Sequence, residues 1–527
     1  MSETVAQVMV KALHYWGIKN IYGVSGDAIL PFMDALGRQD NIKFYSTATE
    51  QGAAFMACGE ARITGNPGVC LATEGPGALN LLNGVADAYR DGVPMLVITG
   101  QVKTAKIATN AKQYFNQQHL FAPITGFTTL LTRPESVIET LKIALEKAIG
   151  DNTPCHVSIP QDILLSPINT YQIPPLNTPC PPALSGNVDD VVNLLLSSRN
   201  PLIIAGKAAI PVKEKVYHLV RHMGAAVIPG QGARGIFSGL EDFLVGGLGE
   251  CHIPPILNQA DCILLIGSSP YEYKFVPKKT VIQVDTRPQN LAHQLNPLSV
   301  TGNMALALDL ITEGLKKYKC SASWQEKVKR HHQEFNAMIK AEANLLDKPI
   351  SARKVISILN ETIPEDAIVV IDSGEFMHWF DRGFIPKRQT VIISDYWRCM
   401  GCGLPFGLGA QVAHSEKKVV ILAGEGGFMM TMQEMLTATR YALPVVIVVF
   451  NNGRYLLEEH RMQKAGMVSF GVDVYAPHFF VLAEACGVKG LRVEDPGELR
   501  GLLNQAMSYS STVLVDVIVK DEKPAFI

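Results

Sequence analysis

Glu425 stands inside the turn Gly424-Glu425-Gly426-Gly427, and Asn452 closes the next apolar run, 452 − 425 = 27 residues on. The turn lies between a strand-like run, 419–423, and a helical run beginning near Phe428. Such a turn points backbone N–H groups and a helix N-terminus at an anion. An acid inside it repels phosphate unless a divalent cation lies between them. Mg²⁺ takes hard oxygen ligands and commonly shares its shell with phosphates. Glu425 offers a carboxylate and Asn452 a neutral oxygen, from the ends of parallel strands that converge on one edge. The pair implies a Mg²⁺-diphosphate site. A second motif, Cys399-x-x-Cys402, has no other cysteine pair and no Trp-Cys-Gly-Pro context, so it reads as a tight Gly-rich loop rather than a redox site.

Residues so placed need parallel sheets to carry them. Unalternating apolar runs at 68–73, 95–99, 201–205, 262–267, 368–372, 419–423 and 445–450 are separated by helical patterns, which is the signature of strands covered on both faces. The expected fold is α/β, with three doubly wound parallel-sheet domains. Proline and polar residues gather without periodicity in 166–187, and the polar helical stretch 324–351 ends in Asp-Lys-Pro. The expected division is 1–170, 188–320 and 350–527. Val5, Val8, Ala12, Leu13 and Trp16 recur at helical spacing near the start, without the basic and apolar regions of a secretory signal. A hydrophobic fraction of 47%, 18% charged residues and a net charge of −2 describe a globular chain with no nucleic acid or membrane partner. The longest apolar runs are too short to span a bilayer. Ten cysteines, mostly in apolar runs, point to a reducing cytoplasm.

The acid-to-amide pattern resembles the signature of thiamine-diphosphate-dependent enzymes, and the resemblance spans essentially the whole chain. It is closest to the pyruvate oxidase and acetohydroxyacid synthase group. It implies that Glu425, Asn452 and the backbone carbonyl of Arg454 hold Mg²⁺, with Gly424, Gly426 and Gly427 beside the diphosphate. The family has aspartate where this chain has Glu425, and the flanking glycines offer backbone freedom to take up the extra methylene. "STATEQGAAFMACGEARITG" is similar to the segment whose glutamate activates the cofactor's aminopyrimidine, here Glu50, and "GVSGD" adds Gly26. "RCMGCGLPFGLGA" resembles the loop whose apolar residue wedges the cofactor into its bent form, here Met400. "DSGEFMHWF" resembles the diphosphate-contacting segment, giving Gly374, Glu375 and Phe376. In the family the glutamate domain of one subunit meets the metal-binding domain of another, so a homodimer or homotetramer is implied.

The middle domain is similar to the flavin-contacting stretches of pyruvate oxidases, which makes FAD a candidate second cofactor with contacts at Gly206, Arg234, Gly267 and Asp285. The chain ends without the C-terminal amphipathic segment of membrane-activated pyruvate oxidases, so membrane attachment is not expected. On the substrate side Glu74, Phe115, Asn116 and Glu458 are candidates. Glu458 has a bland alternative, a solvated helix face shared with Glu459, Arg461 and Lys464. The implied activity is decarboxylation of pyruvate or a similar small 2-oxo acid, of pyruvate-oxidase type. An acetolactate-synthase-type carboligase and a simple 2-oxo acid decarboxylase are the alternatives. A reading of another class, suggested by Glu425, is a cofactor-binding protein that has lost catalysis.

Overall fold

The computed structural model describes residues 3–177, 182–237, 239–267 and 270–526. Its first sheet has six parallel strands: β1 Asn20–Gly23, β2 Lys43–Ser46, β3 Gly68–Ala72, β4 Met95–Gln101, β5 Phe127–Leu130 and β6 Pro154–Pro160. Their order is β2-β1-β3-β4-β6-β5. The second sheet, β7 Pro201–Ala205, β8 Ala226–Pro229, β9 Cys262–Ile266, β10 Thr280–Asp285 and β11 Leu298–Thr301, runs β8-β7-β9-β10-β11. The third holds β12 Ile368–Ile371, β13 Thr390–Ile393, β14 Val419–Gly424, β15 Val445–Asn451, β16 Lys489–Val493 and β17 Val513–Ile518. It runs β13-β12-β14-β15-β17-β16, the order of the first sheet repeated. Three parallel α/β sheets are therefore present, as the apolar runs require.

In each sheet the order reverses between the first and third strands, which opens a crevice at their C-terminal ends. The opening helix, 5–15, is closed by a Thr4–Gln7 capping box, and the polar stretch forms helix 322–342. No helix among the described residues is long and apolar enough to cross a membrane, and the nine cysteines described are all free thiols.

The first and third sheets share one core. Helix Glu50–Thr64 and helix Gly403–Ala413 lie back to back between them, with Phe55 and Phe406 edge to face at 5.5 Å. Such a pair adds about 0.5–1.5 kcal/mol beyond burial. Glycines make the close crossing possible: a Cβ on Gly409 would lie 2.8 Å from the Met56 carbonyl carbon.

A buried charge cluster ties in the middle domain. Asp91 receives Arg62 at 2.7 Å, Lys207 at 3.4 Å and the backbone N–H groups of Asp395 and Tyr396 at 2.9 and 2.8 Å. Burial works to raise its carboxyl, but the cations Lys207 and Arg62 win and hold it well below the usual range.

Candidate functional site

At the C-terminal ends of β12, β14 and β15 three loops converge on a cavity of about 370 Å³. They bring Gly374, Glu375 and Phe376, then Gly424 to Gly427, then Asn452 and Arg454 to one wall. This is the crevice at the strand reversal, where open α/β sheets bind ligands.

Glu425 is the first residue of helix Glu425–Thr431, so the helix starts three residues before the apolar periodicity does. It is 2% exposed. Its Oε1 accepts the Arg454 N–H at 2.8 Å, and Asn452 Oδ1 accepts the same N–H at 3.0 Å. Two oxygens thus converge on a single donor. Burial pushes the Glu425 carboxyl up to about 7, against the pull of backbone N–H groups including those of Arg454, Asn452 and Gly453. A divalent cation beside these oxygens would relieve both their repulsion and the desolvation, so the donor set fits a hard metal ion. Gly424, Gly426 and Gly427 all lack positive φ. Their role is space rather than unusual backbone angles: a Cβ on Gly426 would meet Tyr455 Cδ1 at 3.1 Å and Met400 Cε at 3.3 Å, and one on Gly427 would meet Asp372 Oδ2 at 2.9 Å.

Met400 lines the same cavity. Its loop is fixed at Gly401, whose N–H reaches both Asp372 oxygens at 3.0 and 3.1 Å and whose carbonyl accepts from Thr431 Oγ1 at 2.7 Å. Phe376 stacks on Phe450 at 4.9 Å, and Glu375 accepts from the Trp379 indole. Burial pushes the Glu375 carboxyl up to about 8. Helix Leu456–Lys464 is not the uniformly solvated face its charges suggest. Glu458 is exposed at the cavity rim, but Glu459 is buried and accepts from Arg454 Nη1 at 2.6 Å, and His460 is buried.

The N-terminal candidates form a second group, and none of them lines that cavity. Glu50 opens helix Glu50–Thr64 behind a Thr49 cap, and its Oε2 accepts from Asn80 Nδ2 at 3.0 Å. Gly26 lies so close to Thr73 that a Cβ would sit 2.5 Å from the Thr73 Cβ, and Thr73 donates to the buried Glu74. The Phe115 carbonyl accepts from Gln101 Nε2 at 3.2 Å, while Asn116 caps helix Gln117–Phe121 through the His119 N–H at 3.2 Å. Glu434 links the two groups, accepting the N–H groups of Ala48 and Thr49 at 3.2 and 3.1 Å.

In the middle domain Gly206, Gly267 and Asp285 gather at the C-terminal edge of β7, β9 and β10. After Gly267, Ser268 and Ser269 lie outside the described residues. Asp285 Oδ1 accepts from Asn290 Nδ2 at 2.7 Å. Arg234 does not face this edge openly. It is 1% exposed, donates to the Phe384 carbonyl at 3.0 Å and pairs with Asp381 at 3.8 Å. A Cβ on Gly267 would lie 2.7 Å from the Ala208 Cβ, so the loops after β7 and β9 are already in contact. The middle domain instead supplies Glu250, Tyr271 and Lys274 to the cavity, and residues 378, 398 and 461 add His378, Arg398 and Arg461. Glu250, Tyr271 and Lys274 carry no local pattern that marks them, since they face loops about a hundred or more positions away, while His378 and Arg398 lie inside the Gly374–Phe376 and Met400 motifs and Arg461 on the helix of Glu458.

Family models match in three consecutive parts. "Thiamine pyrophosphate enzyme, N-terminal TPP binding domain" covers residues 3–120, the "central domain" 188–311, and the "C-terminal TPP binding domain" 372–517. A "probable acetolactate synthase large subunit" of Methanocaldococcus jannaschii is 30% identical over 98% of this chain and 91% of its own. A "putative thiamine pyrophosphate-containing protein YdaP" of Bacillus subtilis is 28% identical over 99% and 92%. A "pyruvate oxidase" of Lactiplantibacillus plantarum is 26% identical over 98% and 88%.

Proposed function

Because this chain belongs to the thiamine pyrophosphate enzymes, we propose that it decarboxylates pyruvate or a similarly small 2-oxo acid with thiamine diphosphate and Mg²⁺. The observation that carries the reading is the convergence of Glu425 Oε1 and Asn452 Oδ1 on one N–H at the cavity floor. These two oxygens, with the Arg454 carbonyl, would hold the metal. The loops at Gly374–Phe376 and Gly424–Gly427 would take the diphosphate, and Met400 would press between the rings. When bound, thiamine diphosphate supplies the electron sink that decarboxylation needs.

Glu50 is assigned the proton-handling role toward the aminopyrimidine. Its absence from the cavity formed by its own chain supports a homodimer or larger assembly, in which residues 1–170 of one copy complete the site built by 350–527 of another. Residues 188–320 would contribute Glu250, Tyr271 and Lys274 to its wall. Sedimentation of active enzyme tests this, and a fully active monomer would refute it.

Transfer of the decarboxylated fragment to a second 2-oxo acid is supported by the acetolactate synthases among the relatives. An oxidase is the second reading, favoured by the pyruvate oxidase relative and by Gly206, Gly267 and Asp285 at the edge where dinucleotide folds bind. Arg234, the fourth residue of that candidate set, donates to the Phe384 carbonyl and pairs with Asp381. The test is product analysis on pyruvate together with the visible spectrum of the purified protein. Acetolactate without a flavin band supports ligation, and acetate or acetyl phosphate with a flavin band supports oxidation.

A further inference from the structure

Arg398 has φ +53°, in the left-handed region where a residue with a Cβ is strained. Such strain persists where the surroundings over-determine it, often beside a functional site. Here the surroundings are identifiable. The guanidinium lies 4.1 Å over the Tyr271 ring, Nε donates to the Asp395 carbonyl at 3.0 Å, and one Nη donates to Gln231. Tyr271 is pinned in turn, accepting the Glu250 N–H at 3.3 Å and sharing a hydrogen bond with His378 Nδ1 at 3.1 Å. The arginine so held lines the cavity that Met400, Glu425 and Asn452 also line.

Four cations line that cavity, and three of them already face an acid. Lys274 is 2.6 Å and Arg461 3.7 Å from Glu250, and Arg454 is 2.6 Å from Glu459. Among the described residues Arg398 has no carboxylate within 4.0 Å. The acids behind it, Asp381 and Asp395, pair with Arg234 at 3.8 Å and Lys207 at 3.9 Å. An arginine carries five N–H donors in a planar fork suited to a carboxylate, and it stays charged at any ordinary pH. Two of the five are engaged by protein.

We infer that Arg398 is the anion anchor of this cavity, binding the carboxylate of a small 2-oxo acid. The choice of acid rests on the function proposed above; the place where its charge is held rests on the geometry. A substrate offering only a neutral or cationic group here would leave the cavity-facing donors of Arg398 without a charged acceptor.

The test uses protein loaded with thiamine diphosphate and Mg²⁺, titrated calorimetrically with oxamate, an unreactive anionic isostere of pyruvate, and with its uncharged amide, oxamide. Wild type is compared with Arg398→Gln, Arg398→Lys and Arg398→Gly. Gln and Gly are expected to weaken oxamate roughly tenfold or more, the range of a charge-assisted contact. Oxamide binding and cofactor affinity should hold within about twofold, and Lys should recover part of the loss. Arg398→Gly, which removes the backbone strain, should melt no lower than wild type. Wild type that ignores oxamate, or variants that bind it equally well, would overturn the inference. So would a joint fall in oxamate, oxamide and cofactor binding with a lower melting temperature, which would make the arginine structural. A loss confined to the cofactor would assign it to the diphosphate and overturn the inference as well. Wild type that binds oxamate through Arg398 yet turns over no small 2-oxo acid would retire the proposed reaction and uphold the anchor.

Discussion

Gly409→Ala probes the contact on which both halves of the site depend. The new methyl carbon would lie 2.8 Å from the Met56 carbonyl carbon, where relaxed carbon–carbon contacts lie at about 3.5–4.0 Å. The neighbour is backbone in the middle of helix 50–64, with the Met56 carbonyl oxygen closer still, and has no rotamer to yield, so the two helices must part by more than about 1 Å. Overpacking of this kind costs about 1–3 kcal/mol, which lowers the melting temperature by several degrees at about 2–4 °C per kcal/mol. One helix begins at Glu50, and the other follows the Met400 loop directly. A misplacement of about 1 Å can cost about 10²-fold in rate, so kcat/KM should fall by about that factor. Gly501→Ala is the control: it lies in helix Leu499–Ser508 with nothing within 4 Å of the added Cβ, and should stabilise by up to about 1 kcal/mol. The assays are scanning calorimetry and steady-state CO₂ release. Normal melting with normal turnover would show that the helices adjust freely, and reduced melting with full turnover would show that the crossing positions nothing catalytic.

Three further outcomes are expected. Glu50→Gln should reduce turnover by about 10²–10⁴ while thiamine diphosphate affinity stays near wild type; retention of half the activity would remove Glu50 from the mechanism. Glu425→Gln should weaken Mg²⁺-dependent cofactor binding by more than about tenfold, with Glu425→Asp at or above wild type, and equal affinities without metal dependence would make Glu425 a bystander. His156 is buried between the Thr99 and Thr128 hydroxyls, each at 2.8 Å, and burial lowers its imidazole to about 3. The unfolded chain binds a proton below about 6.5 that the folded one refuses, so stability is lost as pH falls from about 6.5 toward 3. At pH 5 that amounts to ~2 kcal/mol, so the stability gap between wild type and His156→Asn should shrink by that much between pH 7 and pH 5. A gap that does not change with pH would show that His156 takes up its proton in the fold as readily as in the unfolded chain.

What the sequence disclosed was governed by burial and locality. β3, β4, β7, β9, β12, β14 and β15 read as unalternating apolar runs because both of their faces are covered. β2 (Lys43–Ser46), β5 (Phe127–Leu130) and β16 (Lys489–Val493) close the edges of their sheets, carry exposed or half-exposed positions, and leave no such run. The helix start at Glu425 was hidden because Gly426 and Gly427 have no side chains to show periodicity. Glu459 read as solvated because Glu-Glu-His-Arg is a surface composition, and only its approach to Arg454 explains its burial. The Glu425–Asn452 pair was legible through the fixed length of one helix and strand. Tyr271 and Arg398 meet across two domains, at a distance no spacing rule reaches. The shared strand order of the first and third sheets is equally silent, since connectivity leaves no imprint on side-chain type.

The charge cluster around Asp91 has a consequence for synthesis. Asp91 and Arg62 emerge early, yet two of the N–H groups that hold Asp91 belong to Asp395 and Tyr396, and one of its cations is Lys207. Asp395 follows Asp91 by 395 − 91 = 304 positions. At about 5–20 residues per second the wait is roughly 15–60 s. Throughout that interval the first sheet carries a carboxylate half solvated and half paired, beside helix 50–64, whose glycine-lined face still lacks its partner. A chain ended after the middle domain would therefore leave the face of helix 50–64 that packs on helix 403–413 uncovered.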